Sequence, residues 1–151
     1  MRLYEYNAKV KRIIDGDTVD AYVDLGFKTH LEIRIRLKGI DTPESRTRDL
    51  IEKRYGLGAK KRITDYLEGN ENNFVLKSSG VGKYGRCLGE LFVPGPELED
   101  GVRMISINQR LINEGHAVPY FGGSKLQVKE ALMLQRDKSK EYVEKHIKPL
   151  D

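Results

Sequence analysis

From Val19 to Lys38 the chain alternates apolar and polar residues with a period of two. Val19, Ala21, Val23 and Leu25 interleave with Asp20, Tyr22 and Asp24, and Leu31, Ile33, Ile35 and Leu37 interleave with Glu32, Arg34, Arg36 and Lys38. Successive side chains of an extended strand point to opposite faces, so this pattern predicts two half-buried strands, joined at Gly26-Phe27-Lys28. Ala8 to Ile14 reads as a third strand, connected through Asp15-Gly16, a strong turn dipeptide. The three make an antiparallel meander. Arg36 belongs to the polar set, which displays it on the face opposite Ile35 and Leu37, where a ligand can reach it.

Beyond the meander the period becomes helical. Tyr55, Ala59, Ile63, Tyr66 and Leu67 form one stripe, with Lys60, Lys61 and Arg62 outside it and Gly69 placed to end the helix. Asn73 to Lys77 and Arg86 to Val93 read as strands four and five, separated by the basic, glycine-rich stretch Gly80 to Gly85. Pro94-Gly95-Pro96 and Glu97 to Gly101 read as an exposed acidic loop. Ser106-Ile107-Asn108-Gln109 and Ser124-Lys125-Leu126-Gln127 have the form of capping boxes, opening a short helix closed by Gly115 and a long one reaching about His146. The expected class is α+β, a five-stranded OB-type β-barrel with three helices, whose strand surface and loops commonly bind nucleic acids or saccharides. The 151 residues are expected to form a single domain, 1–151.

Charge and cysteine usage narrow the function classes. Lys and Arg number 27 against 23 Asp and Glu, a net +4, which favours polyanionic partners without naming one. No apolar run approaches the ~18 residues of a membrane span. The lone Cys87 has no internal disulfide partner and reads as a small strand residue. The N-terminal segment lacks an apolar signal core, so the expected location is cytoplasmic, or secreted if a signal was removed. His30, His116 and His146 are too scattered for zinc spacing, and the glycines from Gly80 to Gly85 do not make a nucleotide-cradling loop followed by a helix. The lysines of the final helix, Lys125, Lys129, Lys138, Lys140 and Lys145, read as a solvated face.

Two acidic turns and two arginines carry the chemical signal: Asp15-Gly16-Asp17-Thr18, Arg36, Asp41-Thr42-Pro43-Glu44, and Arg86 in Tyr84-Gly85-Arg86. Each has a plain reading alone, as a hairpin turn, a strand end, or an arginine paired with a neighbour such as Glu32. Together they supply what phosphodiester cleavage demands: oxygen ligands for a hard cation, a proton acceptor, and guanidinium forks for developing negative charge. Lysine cannot imitate a guanidinium's two parallel hydrogen bonds.

These residues resemble the staphylococcal (micrococcal) nuclease, or thermonuclease, family. The matching pieces are Ile14 to Val19, Arg36-Leu37 leading to Ile40 to Glu44, Lys83-Tyr84-Gly85-Arg86, and Asn108 with Leu111 and Gly115, in family order across roughly residues 8 to 146. The resemblance implies calcium held by Asp17, Asp41 and the carbonyl of Thr42, Glu44 as general base, and Arg36 and Arg86 on the scissile phosphate. It further implies hydrolysis of DNA and RNA, single-stranded or frayed, with little base preference, breaking the P–O5′ bond to leave 3′-phosphates. Lys83 and Tyr84 match residues that hold a terminal phosphate. Tyr120 or Phe121 offers a ring to stack on a base, although Pro119 stands where the family often has an aromatic residue. A monomer that needs no membrane is expected. The alternative reading is a non-catalytic OB-fold module that binds nucleic acid, which would be expected to lose the acid and arginine set.

Overall fold

The computed structural model describes residues 4–81, 85–120 and 122–150. Six long strands form one sheet in the order β3-β2-β1-β5-β6-β7: β1 (Glu5–Asp15), β2 (Thr18–Asp24), β3 (His30–Leu37), β5 (Asn73–Val81), β6 (Cys87–Leu98) and β7 (Gly101–Ser106). β3 also pairs with β6 in parallel, at Ile35↔Cys87, Arg36↔Leu88 and Leu37↔Gly89. That pairing closes β1, β2, β3, β5 and β6 into the five-stranded barrel expected from the sequence, of OB type. A separate two-stranded patch joins β4 (Ile40–Asp41) to β8 (Val118–Pro119).

The period-two pattern is realised in register. Val19 faces Ile35 and Ala21 faces Ile33 across the β2–β3 hairpin, and Val19, Ala21, Ile35 and Leu37 are buried in the barrel with Leu76 and Leu91. At the far end of the same hairpin Leu25 and Leu31 are exposed, because the ribbon continues beyond the mouth of the barrel. The acidic loop expected from Pro94 to Gly101 is instead mostly strand. β6 runs through Pro94 and Pro96 to Leu98 and pairs with β7, leaving a turn of Glu99 and Asp100. Proline is tolerated there because the β5 partners end at Phe92, so the extension is bonded on one side only, and the register shifts between Pro94 and Glu97.

Three helices, α1 (Leu50–Glu68), α2 (Ile107–Asn113) and α3 (Lys125–His146), cap the barrel. α1 begins earlier than its apolar stripe indicates, because the Asp49 side chain accepts from the Ile51 and Glu52 amides and satisfies the first turn. Ala59, Ile63 and Leu67 are wholly buried, and burial of side chains the size of Ile63 and Leu67 contributes about 1.5–3 kcal/mol each. Gly69 does cap α1, in a right-handed conformation; the left-handed residues of the turn are Glu71 and Asn72. α2 ends as expected at Gly115, with Gly115 N bonded to Ile112 O at 3.1 Å and His116 N to Leu111 O at 2.9 Å. The capping box of α3 is complete: Ser124 Oγ accepts from Gln127 N and Gln127 Oε1 from Ser124 N. In α2 only half of the box forms, since the Gln109 side chain turns to Asn113. Among the described residues no helix is long and apolar enough to cross a membrane.

Candidate active site

Register brings the first acidic turn to the end of β3, which carries Arg36. Thr18 pairs with Arg36, and Leu37 N donates to Asp17 O at 2.8 Å, so the start of β2 and the end of β3 are locked side by side. Arg36 Nη2 then lies 3.2 Å from Asp41 Oδ1 and 3.5 Å from Asp17 Oδ2, while its Nη1 donates to Leu37 O at 2.9 Å. Asp17 is further oriented by the Thr18 hydroxyl, at 3.0 Å, and by Thr42 N, at 3.3 Å. Glu32, the neighbour that could have claimed Arg36, pairs with Lys11 instead. Asp15 accepts from Ser45 Oγ, so it joins the two acidic turns and leaves Asp17 to face Arg36.

Asp41 owes its place to hydrogen bonds outside the barrel. It pairs with Val118 in the β4–β8 patch, and Tyr120 N donates to Gly39 O at 2.9 Å. Buried Asn108 spans the adjoining turn, donating to Lys38 O and Gly89 O and accepting from Leu91 N. Asn108 is thus a structural residue that ties β6 to the turn before Asp41. α1 supplies the floor. A Cβ on Gly56 would stand 2.4 Å from Glu44 O, and one on Gly16 would stand 2.7 Å from the Ala59 Cβ. Both acidic turns therefore rest on the small-residue face of α1 at distances any larger side chain would forbid.

A cleft of about 670 Å³ opens over this arrangement. Arg36, Asp41, Thr42, Glu44, Arg86 and Tyr120 all line it, whereas Asp17 is buried and is not one of the lining residues, meeting the cleft only through its pairing with Arg36. Glu44 is exposed, Arg86 is half-buried beside β6, and Tyr120 is partly exposed at the rim. Lys83 and Tyr84 lie outside the described residues. The other wall is a surprise relative to the sequence. Lys125, Val128, Lys129 and Leu132, an i, i+3, i+4, i+7 stripe of α3, face the cleft, so this part of the basic helix is not simply a solvated face. Lys138, Lys140 and Lys145 are exposed and lie away from the cleft.

The electrostatics are unbalanced. One guanidinium serves two carboxylates, and the Asp41 carboxyl is pushed up to about 6, first by burial and then by the charge of Asp17, against the opposing pull of Arg36. The Thr42 hydroxyl oxygen is buried without a hydrogen-bond partner among the described residues. A second cation would relieve this crowding, and the donors on offer are all oxygens, the set a hard divalent ion prefers. Among the described residues no three His, Cys, Asp or Glu side chains gather as a metal cage. Asp17 and Asp41 would thus need backbone oxygen, water or substrate to complete a coordination shell.

Known proteins share this chain's pattern. A micrococcal nuclease of Shigella flexneri is 32% identical over 77% of this chain, which spans 59% of that protein's length. Protein ParB of Escherichia coli is 26% identical over 88% of this chain and 68% of its own length. An uncharacterised protein of Methanocaldococcus jannaschii is 30% identical over 87% of this chain and 67% of its own. The profile described as staphylococcal nuclease homologue matches residues 34–145, a segment that runs from the strand bearing Arg36 through the α3 wall of the cleft. With the barrel, the paired acidic turns and this match in agreement, the chain belongs to the staphylococcal nuclease homologue family.

Proposed function

We propose that this protein is a calcium-dependent nuclease that hydrolyses phosphodiester bonds of DNA and RNA without regard to the sugar. The reading is carried by one observation: Arg36 is shared between the Asp17 and Asp41 carboxylates on a cleft that Glu44 and Arg86 also line. Family membership and the likeness to a micrococcal nuclease support the same chemistry. The carboxylates of Asp17 and Asp41 and the Thr42 carbonyl would hold calcium, leaving room for water and a phosphate oxygen. Bound there, the ion supplies positive charge to the phosphate and makes water more acidic.

The protein's own groups account for the rest. Arg36 and Arg86 each present a planar fork to the phosphate oxygens, where charge grows as water attacks phosphorus. Glu44, exposed on the cleft, takes the proton from that water. A bond forms from the water oxygen to phosphorus and the P–O5′ bond breaks, leaving a 3′-phosphate and a 5′ oxygen that is protonated from solvent. Tyr120 at the rim offers its ring to a base, a contact that tolerates any sequence. Lys83 and Tyr84 would hold a terminal phosphate, and the chain acts as a monomer.

Single-stranded DNA incubated with calcium, with and without chelator, tests this reading against that of a non-cleaving OB-fold module. The expected result is cleavage that chelator stops and that Glu44→Gln reduces by a factor of 10² or more, in line with removal of a positioned general base. Binding without cleavage under every condition would establish the module instead.

A further inference from the structure

A general base acts only within hydrogen-bond reach, about 2.6–3.2 Å, of the proton it removes. The Glu44 side chain is exposed in the cleft and has no hydrogen-bond or ion-pair partner among the described residues. The reach of this carboxylate is therefore set by its backbone.

That backbone is fastened on both sides. Thr42, Pro43 and Ser45 are buried, so Glu44 alone turns outward between Thr42 and Ser45. Two residues before Glu44, Thr42 N donates to Asp17 Oδ2 at 3.3 Å, and one residue after it the Ser45 hydroxyl donates to Asp15 Oδ1. Both bonds end on the same tight turn, which is closed by the pairing of Asp15 with Thr18. From the other side α1 presses close at Gly56, where a Cβ would stand 2.4 Å from Glu44 O and 2.7 Å from Ser45 N. Gly56 bars movement of this backbone toward α1, while the two hydrogen bonds hold it to the turn that carries Asp17.

The two fastenings are not equal. The bond from Thr42 N is long for its type, and it ends on a carboxylate that Arg36 also draws, at 3.5 Å. The bond from Ser45 is charge-assisted, and the Asp15 carboxylate serves no other group among the described residues. Ser45 is the stronger hold on the residue next to it.

We infer that Ser45 is a positioning residue for the general base: its hydrogen bond to Asp15 sets the place of Glu44 relative to Asp17. The inference rests on the hydrolytic reading above.

Steady-state cleavage of single-stranded DNA in calcium, read as kcat and KM separately, tests it. Ser45→Ala is expected to lower kcat about 10- to 100-fold and to leave KM within about twofold of wild type, the effect of a base misplaced by about 1 Å. Asp15→Ala should match it, and the double variant should lose no more than either, because both remove one bond. Asp15→Asn keeps an acceptor oxygen and should recover most of the loss. In a Glu44→Gln background Ser45→Ala should change the remaining rate by less than about twofold, since no base is left to misplace. Calcium titrated calorimetrically should bind Ser45→Ala as it binds wild type. Circular dichroism verifies folding, and if Ser45→Ala does not fold, the Asp15→Ala and Asp15→Asn pair carries the test. Wild-type kcat in Ser45→Ala, weakened calcium binding, or an equal loss with and without Glu44 overturns the inference and leaves Ser45 a structural residue. A wild-type protein that cleaves no DNA removes the nuclease reading and this inference with it, whereas cleavage with a kinetically silent Ser45→Ala removes this inference alone.

Discussion

Two charged clusters among the described residues, one between the helices and one in the cleft, are built on opposite plans. On the helical side Arg62 gives both faces of its fork to Glu114, at 2.6 and 3.1 Å, Tyr66 donates to the same carboxylate, and Tyr142 donates to Asp65 at 2.6 Å. Glu114 is held below the ordinary carboxylate range: burial opposes its charge, but the Arg62 and Tyr66 hydrogen bonds outweigh it. Every acid there has its partner. In the cleft the one guanidinium of Arg36 is divided between Asp17 and Asp41, and Asp41 is displaced upward. A self-satisfied network holds elements together, whereas a network short of positive charge is one that a ligand completes. Removing groups from the first should cost stability, and removing them from the second should cost activity.

The sharpest way to break that contrast is at the guanidiniums. Arg36→Lys and Arg86→Lys keep the charge and lose the fork, and each is expected to lower turnover by about 10² to 10³, or about 2.7–4 kcal/mol of barrier, with an unchanged unfolding midpoint. Steady-state rates beside a urea titration decide it. Near-normal turnover would remove both residues from the chemistry.

Acid should act on the two regions with opposite sign. His116, buried against the edge of the Tyr142 ring at a centroid distance of 5.0 Å, is lowered from its ordinary value to about 4, chiefly by burial. Its depressed value means that the folded state excludes a proton the unfolded chain accepts. The associated stability is fully present above about pH 6.5 and is lost as pH falls toward 4, a change of roughly 3 kcal/mol. Urea unfolding at pH 7 and pH 4.5 should show the loss, and His116→Gln should flatten the dependence over that window.

Asp41 runs the other way. Its raised value means that the folded state favours the protonated carboxyl, so its charge destabilises the cation-free protein as pH rises through about 6. Asp41→Asn should therefore raise the melting temperature modestly at pH 7 without calcium. Added calcium should stabilise the wild-type protein and leave this variant behind, reversing their order. A variant less stable than wild type in chelator would place Asp41 among the structural charges, with Glu114.

Much of this architecture is legible in the chain because strand periodicity and short turns are local signals. Val19 to Leu37 announces the hairpin, and the spacing of Arg36, Asp41 and Glu44 marks one rim of the cleft. What stays hidden depends on partners distant in the chain. Pro94 and Pro96 look like loop residues until β7 is known to bond one edge of β6 only. Arg62 looks like an outward basic residue of α1 until α2 brings Glu114 beside it. Ser45 gives no hint of Asp15, Gly56 none of the turn that rests on it, and the α3 lysines cannot be assigned to the cleft before α3 is docked. Asp49 was the available local signal for the earlier start of α1, being an N-cap residue three places before Glu52.

The proposed convergence of oxygen donors on a single cation is tested directly by anomalous scattering from crystals grown with calcium. One ordered peak between the Asp17 and Asp41 carboxylates, within about 2.3–2.6 Å of oxygens from both, is the expected result. A protein that cleaves DNA in the same calcium buffer, with its ion bound elsewhere or with no ordered ion in the cleft, would contradict it.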